Sequence, residues 1–128
     1  MLRSGFEHFL RTGEPLWEQW APGFVWDMST FTGWPEEPTY RGREGYTQFM
    51  DAWLSTWSEW EFQPVEFLDA GDDVVVVSMQ RGKAKGGGPT VEMQLAQVWT
   101  VEDGRALVRM RMYGSKAEAL EAVGLSGL

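Results

Sequence analysis

The chain has no cysteine and only one histidine among its 128 residues. Disulfides and thiolate nucleophiles are therefore excluded, and a reducing, cytoplasmic location is expected. Basic residues number 11 against 19 acidic ones, and the net charge of −8 argues against binding to nucleic acid or to an anionic membrane. The sequence also lacks an apolar run of membrane-spanning length and the apolar core of a signal peptide.

Two features that can carry chemistry in other proteins carry none here. The stretch Gly86-Gly87-Gly88-Pro89 is predicted to be a hairpin connection, because a phosphate-binding loop ends in Gly-Lys-Ser/Thr and continues into a helix. His8 lies off the apolar stripe of its predicted helix, so a solvated side chain is expected. No cofactor and no metal site is predicted.

Apolar residues are plentiful: they make up 43% of the chain and include eight tryptophans and seven methionines. A chain of this length suits one domain, spanning residues 1–128, that buries roughly two thirds of its unfolded surface. The longest amphipathic segment runs from Tyr40 to Trp60, where apolar residues recur at steps of three and four. This spacing predicts a long helix with one apolar stripe, formed by Tyr46, Phe49, Met50, Trp53, Leu54, Trp57 and Trp60.

The stripe has two interpretations. Large apolar residues usually lie in the core, and the spacing alone favours that role. The alternative is that the aromatic residues of the stripe also wall a ligand pocket. In that case Phe49 and Trp53 are the residues expected to contact a ligand, whereas Trp57 and Trp60 are expected to remain in the core.

The remaining pattern predicts an α+β fold. A helix over 2–12, a short helix starting at Glu14-Pro15, a strand over 24–28 and a loop over 29–39 precede the long helix. Four antiparallel strands follow, over 62–68, 74–85, 91–101 and 107–113, and a capping box at Ser115 starts a C-terminal helix. One antiparallel sheet must bury one face, and only the helices can cover it. A sheet that curves around a long helix can leave a conical cavity between them.

Two polar residues stand among apolar neighbours. Asp27 ends the strand over 24–28, and it is either a pocket carboxylate or a strand-end residue that faces water or caps the next turn. Gln97 is the only polar member of the apolar face of 91–101, where an amide needs partners or serves a bound ligand. On the last strand, Arg109 and Arg111 are predicted to face water or a partner subunit, opposite Met110 and Met112.

Several short motifs occur along the chain, and their order and spacing are more specific than any one of them. They are Val25-Trp26-Asp27-Met28, Tyr40-Arg41-Gly42-Arg43-Glu44-Gly45, Gly71-Asp72-Asp73-Val74-Val75, Val98-Trp99-Thr100 with Asp103-Gly104, Tyr113, and Glu118-Ala119-Leu120-Glu121-Ala122. Together they resemble the SnoaL-like branch of the nuclear transport factor 2-like (ketosteroid isomerase-like) superfamily over nearly the whole chain. The resemblance implies a cone-shaped, cystatin-like roll, in which a curved antiparallel sheet wraps around a long helix and N-terminal helices cover the cavity.

The resemblance also implies roles for single residues. It places Asp27 where ketosteroid isomerases hold a general base, and Gln97 near one of their hydrogen-bond donors. Phe6 stands where those enzymes have a donating tyrosine, and Met112 stands where polyketide cyclases and limonene epoxide hydrolases have an acid. The predicted apolar walls of the ligand site are Phe6, Trp17, Phe49, Trp53, Trp99, Met110 and Met112.

Three functions follow from these expectations. The first is an enzyme of isomerase, cyclase or lyase type, with Asp27 as acid–base and Gln97 as donor. The second, which we rank first, is a binder of a small, largely apolar molecule. The third is an oligomerisation module whose own side chains fill the cavity. The abundance of tryptophan and methionine favours the second or the third, whereas Asp27 and Gln97 on inward faces favour the first. The family's usual state implies a homodimer, for which the outer sheet face with Arg109, Arg111, Glu92 and Gln94 is the predicted surface.

Overall fold

The computed structural model describes residues 2–32 and 34–125. Three α-helices are formed by these residues: α1 (Leu2–Thr12), α2 (Gly42–Leu54) and α3 (Lys116–Ala122). Six strands are β1 (Trp20–Asp27), β2 (Thr39–Arg41), β3 (Trp57–Ala70), β4 (Asp73–Ala84), β5 (Thr90–Glu102) and β6 (Ala106–Tyr113). The strands form one curved sheet in the order β2-β1-β6-β5-β4-β3. The predicted α+β class is therefore confirmed.

The sheet is mixed rather than antiparallel throughout. Every neighbouring pair is antiparallel except β1 and β6, which run parallel. The predicted purely antiparallel sheet is therefore wrong at this one junction. Alternation along a strand tells which side chains are buried, but it does not tell which strand lies beside it. The very short β2, which pairs with β1 at the sheet edge, was also not predicted.

The predicted helix over residues 40–60 covers parts of three elements, and its first two residues belong to β2. α2 ends at Leu54, and β3 begins at Trp57 after a single turn. Trp57 and Trp60 therefore lie on a strand, and their placement on the helix was wrong. A bulge between Trp57 and Glu59 shifts the register, so the two indoles fall opposite Ala84 and Gly82 and share one face of the sheet. Residues three apart on a bulged strand can therefore face the same side, as residues three apart on a helix do.

The second predicted helix is also shorter than expected. Only Trp17–Gln19 is helical, as one 3₁₀ turn, and β1 already begins at Trp20. Pro22 and Gly23 occupy the stretch between Trp20 and Val25 where the pairing of β1 with β6 is interrupted, so the missing N–H of Pro22 removes no ladder hydrogen bond.

Both faces of the sheet are covered by helices. The inner face packs beneath α1 and α2, and its cluster includes Val76. The outer face packs beneath α3, and its cluster includes Val75 and Val77. Neighbouring valines on β4 therefore point to opposite cores, so this run is buried on both faces. α3 begins as predicted, because Ser115 Oγ accepts a hydrogen bond from the Glu118 N–H at 3.2 Å.

Candidate functional site

A narrow, partly enclosed cavity lies between the inner face of the sheet and helices α1 and α2. The space that the centre of a water molecule can occupy in it is about 80 Å³. One water needs about 10–15 Å³ by the same measure, so side chains fill most of the cone without closing it. The remaining space is of small-molecule size.

The walls of the cavity are almost wholly apolar and come from every layer of the fold. The helices contribute Leu2, Phe6, Phe9, Tyr46, Phe49, Met50 and Trp53. The strands contribute Trp20, Trp26, Trp60, Phe62, Leu95, Trp99, Leu107 and Met112, and the connecting segments contribute Pro15, Leu16, Met28 and Phe31. Trp20 is central to this arrangement, because its ring contacts those of Trp26, Tyr46 and Trp99 at 6.3, 5.2 and 5.9 Å between centroids.

Most of the predicted wall residues line the cavity. Phe6, Phe49, Trp53, Trp99, Met112 and Gln97 do so. The structure places Trp17 outside the lining, where its ring packs on Trp20 and Tyr46 at centroid distances of 4.9 and 5.4 Å. Met110 is fully buried beneath the lining. It is the strand partner of Trp26 on β1 and of Trp99 on β5, and the centroids of these two rings are 5.9 Å apart.

Asp27 also lies outside the cavity lining. It is 3% exposed, and its register places it on the outer face with Arg111, whereas the neighbouring Trp26 faces the cavity. Its Oδ2 accepts a hydrogen bond from Arg109 Nη2 at 2.5 Å. Its Oδ1 accepts from the backbone N–H and the hydroxyl of Ser29 at 2.9 and 2.6 Å. This geometry corresponds to the alternative in which Asp27 caps the turn after its strand.

The contacts of Asp27 set its charge state. Burial acts to raise the pKa of Asp27, but the hydrogen bonds from Ser29 and Arg109, together with the positive charge of Arg109, outweigh burial and lower the pKa below its ordinary value. The carboxylate is therefore ionised at neutral pH, and both of its oxygens already accept hydrogen bonds. A general base beside a ligand would need the opposite arrangement, with a raised pKa and a free oxygen.

Gln97 is held in one orientation by its neighbour on β5. Its Oε1 accepts a hydrogen bond from the indole N–H of Trp99 at 2.9 Å. Because an indole N–H can only donate, this contact identifies the oxygen of the amide and so fixes where its NH₂ group lies. The residue is 4% exposed and lines the cavity. Within the described part of the chain, no hydrogen-bond acceptor pairs with that NH₂ group.

Gln80 provides a contrast on the same face of the sheet. Its Oε1 accepts from the indole N–H of Trp60 at 3.0 Å, and its NH₂ donates to Ser78 Oγ at 3.3 Å. Ser78 in turn donates to the carbonyl of Leu95 at 3.4 Å. Gln80 lines the cavity but its hydrogen bonds are used by the protein. Sequence reasoning missed it, although the alternation of Val76, Ser78 and Gln80 on β4 places it on the inner face.

Tyr46 adds a hydroxyl to the cavity wall, whereas its helical spacing predicts only a member of the apolar stripe. It is 7% exposed and lines the cavity from α2. Burial, and then the negative charge of Glu14, raise the pKa of its phenol above the ordinary value, so it stays neutral. Among the residues described, none is hydrogen-bonded to its hydroxyl.

The polar groups at the cavity are thus all uncharged: two amides, one phenol and the indole N–H groups of the lining tryptophans. Among the described residues, the indole N–H of Trp26 is fully buried and has no hydrogen-bond partner. In residues 2–32 and 34–125, no group of three His, Cys, Asp or Glu side chains is placed to hold a metal ion. Over the same residues, no helix has the length and apolarity that crossing a membrane requires.

Comparison with known proteins supports the resemblance seen in the sequence. The SnoaL-like domain family matches residues 11–109, and no curated protein matches the chain. An NTF2-like protein of unknown function from Burkholderia pseudomallei is 22% identical, covers 95% of this chain and 93% of its own, and gives a TM-score of 0.74. TerC, co-crystallised with polyporic acid, is 22% identical over 96% of this chain and 94% of its own, with a TM-score of 0.72.

A third similar structure is a hypothetical protein with a ketosteroid isomerase-like fold from Catenulispora acidiphila, in complex with trimethylamine. It is 18% identical over 86% of this chain and 80% of its own, with a TM-score of 0.63. Identities this low establish a shared fold and nothing about a shared ligand. The family match extends over more than half of the sequence, from α1 into β6, and on that basis the chain belongs to the SnoaL-like family.

Proposed function

We propose that this protein binds a small, largely apolar molecule in the cavity, and that the Gln97 amide donates a hydrogen bond to an acceptor atom of that molecule. The proposal takes residues 1–128 as one domain. The single observation that carries it is the NH₂ group of Gln97, which lies at the wall of an apolar cavity with no partner among the described residues.

The energetics favour a ligand with an acceptor atom. The NH₂ group of Gln97 keeps some accessible surface, since it is not one of the fully buried atoms without a partner. A hydrogen bond from it to a ligand acceptor would contribute about 0.5–1.5 kcal/mol. Gln80 has its amide satisfied by Ser78, so an unsatisfied amide is not a general property of this sheet face. The free space of about 80 Å³ also favours a binder over an oligomerisation module with a self-filled cavity.

Gln97→Leu tests the proposal, with Gln94→Leu as its matched control. Gln94 lies on the same strand but is exposed on the outer face. Tryptophan fluorescence quenching across steroid-like, polyketide-like and small aromatic compounds measures binding. For a compound with a carbonyl, Gln97→Leu should weaken binding by roughly two- to tenfold, the loss of one hydrogen bond, and Gln94→Leu should not. An unquenched signal across the whole panel would contradict the proposal.

The proposal is for binding and not for acid–base chemistry at Asp27. The carboxylate is ionised, paired with Arg109 and directed to the outer face, and all three properties support a structural role. Asp27→Asn should therefore leave the affinity for the ligand unchanged. Measurable turnover of a bound compound that disappears in folded Asp27→Asn would instead establish the enzyme hypothesis.

The proposed assembly is a homodimer through the outer sheet face. α3 covers the centre of this face and leaves charged groups of both signs on either side of it. Arg109 is 48% exposed on one side, and the pair Arg81–Glu92 is 57% and 62% exposed on the other. Both signs of charge on one patch permit the self-complementary contacts of a two-fold interface. Sedimentation velocity should give twice the chain mass of 14.6 kDa, and a single 14.6-kDa species at micromolar concentration would contradict the dimer.

A further inference from the structure

We infer that Tyr46 is a second hydrogen-bonding contact for the ligand, and that the cavity takes an uncharged, single-ring aromatic molecule with two oxygen atoms. One oxygen, a carbonyl, faces Gln97, and the other, a hydroxyl, faces Tyr46. This inference rests on the proposed function and narrows it to a ligand class.

Tyr46 carries a hydroxyl into otherwise apolar surroundings. The ring is fixed by edge-to-face contacts with Trp17, Trp20 and Trp26 at centroid distances of 5.4, 5.2 and 5.1 Å. Packing on three indoles leaves the phenol little freedom to turn toward solvent. Buried tyrosine hydroxyls normally have a hydrogen-bond partner. The described residues provide none for this one, and its oxygen is not one of the fully buried atoms without a partner, so it has accessible surface at which a ligand atom can bind.

Tyr46 and Gln97 lie on opposite walls. Tyr46 belongs to α2, whereas Gln97 belongs to β5 and is bonded to Trp99. The rings of Trp20 and Trp26 contact both Tyr46 and Trp99, so they form the wall that joins the two sides. A ligand that lies against these indoles then has the helix wall with Tyr46 on one side and the sheet wall with Gln97 on the other. Two oxygens at opposite ends of a flat ring match this arrangement.

The size of the cavity limits the ligand to one ring. Its free space of about 80 Å³ corresponds to about five to eight water positions. An engineered apolar cavity of about 150 Å³ holds one benzene ring. The space here therefore excludes fused rings of the steroid kind, and a substituted single ring would extend into the open side of the cavity. The walls are aromatic on the sheet and on the helices, and flat rings pack well between them through offset or edge contacts.

The charge of the site requires a neutral ligand. No Lys, Arg, Asp or Glu side chain is among the lining residues of the described chain. An ion moved into such surroundings would lose its hydration without gaining a counter-charge. Glu14 lies close enough to affect Tyr46 electrostatically, and its negative charge disfavours an anionic oxygen at that end. Neutral carbonyls and hydroxyls meet these limits, and carboxylates do not.

Isothermal titration with four probes tests the inference. 4-Hydroxyacetophenone has both oxygens, acetophenone has only the carbonyl, 4-ethylphenol has only the hydroxyl, and 4-hydroxybenzoate replaces the ketone by a charged group. The wild type should bind 4-hydroxyacetophenone about three- to tenfold more tightly than either single-oxygen probe, which is the gain from one added hydrogen bond. It should bind 4-hydroxybenzoate more weakly than all three neutral probes.

Two variants assign each oxygen to its residue. Tyr46→Phe removes only the hydroxyl, and it should weaken 4-hydroxyacetophenone about three- to tenfold while leaving acetophenone within twofold. Gln97→Leu should weaken acetophenone by a similar factor and leave 4-ethylphenol within twofold. Thermal unfolding of each variant provides the check on folding.

The outcomes separate this inference from the proposed function. If acetophenone binds with the Gln97 dependence but Tyr46→Phe changes nothing, the proposed function stands and the inference is wrong. If Tyr46→Phe weakens both compounds equally, Tyr46 shapes the cavity and does not bond the ligand, and the inference is again wrong. If no probe binds the wild type but a compound of the fluorescence panel does, the inference is wrong and the proposed function stands, and if neither set binds, both fail. Should Tyr46→Phe not fold, equal wild-type affinity for acetophenone and 4-hydroxyacetophenone would by itself overturn the inference.

Discussion

The two faces of the sheet treat buried polar groups in different ways. On the outer face, Asp27 is ionised and bonded to Arg109 and Ser29. On the inner face the polar groups are neutral, and Gln97 and Tyr46 each keep a group that no other described residue uses. A charge must be paired when it is buried, whereas an amide or a phenol can stay partly unsatisfied at a modest cost. The buried polar groups of the outer face therefore stabilise the fold, whereas those of the inner face retain unused hydrogen-bonding groups.

The largest expected effect comes from breaking the outer-face ion pair. Arg109→Leu leaves the buried Asp27 carboxylate without its cation, and we expect a loss of about 2–3 kcal/mol in the free energy of unfolding. The matched variant Arg81→Leu removes an exposed pair with Glu92 and should cost no more than about 1 kcal/mol. Urea unfolding measures both. Equal losses would mean that burial does not distinguish the two pairs.

A second variant tests the packing of the inner face. A Cβ at Gly82 would lie 2.5 Å from the ring of Trp57, so Gly82→Ala forces the indole or the strand to move. Overpacking of this kind costs about 1–3 kcal/mol. Gly23→Ala is the control, since a Cβ there meets no atom within 4 Å. Thermal unfolding compares the two, and a neutral Gly82→Ala would show that the indole is free to shift.

Acid should weaken the outer face. The pKa of Asp27 is lowered from its ordinary value of 3.8. The stability from the ionised carboxylate is thus fully present above pH 3.8 and is lost as the pH falls through the lower value of the folded state. Asp27→Asn should be less stable than the wild type at pH 7, and the difference should shrink toward pH 2. Chemical unfolding across this range measures it; a gap that stays constant would contradict the assignment.

Alkali should weaken the inner face, with the smallest effect of the four. Burial raises the pKa of Tyr46 above its ordinary value of 10.0, so the neutral phenol stabilises the fold below pH 10.0. That stability is lost as the pH rises and the unfolded chain ionises first. Tyr46→Phe should remove this part of the alkaline slope, as measured by chemical unfolding of variant and wild type above pH 10.0. A slope identical to that of the wild type would mean that Tyr46 does not titrate as described.

Much of the fold was predictable because local rules decide it. The helix over residues 2–12, the strand alternation of residues 91–101 and the capping box at Ser115 depend on neighbours in sequence. The bulge at Trp57 was not predictable, because a register shift is decided by the partner strand. The parallel pairing of β1 with β6 was missed for the same reason.

The position of a site residue was predictable where the periodicity of its own strand or helix decides which face it takes. Gln97 falls on the inner face by alternation, and Phe49 and Trp53 by helical spacing. Asp27 was harder, since its position at the end of β1 suits either face, and only its pairing with Arg109 on another strand decides. The phenol of Tyr46 lies close enough to Glu14 to feel its charge because of how the segment before β1 folds back. The periodicity of the sequence gives no information about such a contact.

The hydrogen bond from Trp99 to Gln97 has a consequence for selectivity. An amide presents a donor on one side and an acceptor on the other, and only the indole fixes which side the ligand meets. With phenylalanine at position 99, the amide could turn over, and the same pocket would accept donor-bearing and acceptor-bearing molecules alike. Trp99 thus determines selectivity for acceptor-bearing over donor-bearing ligands more than it determines the affinity for any one ligand.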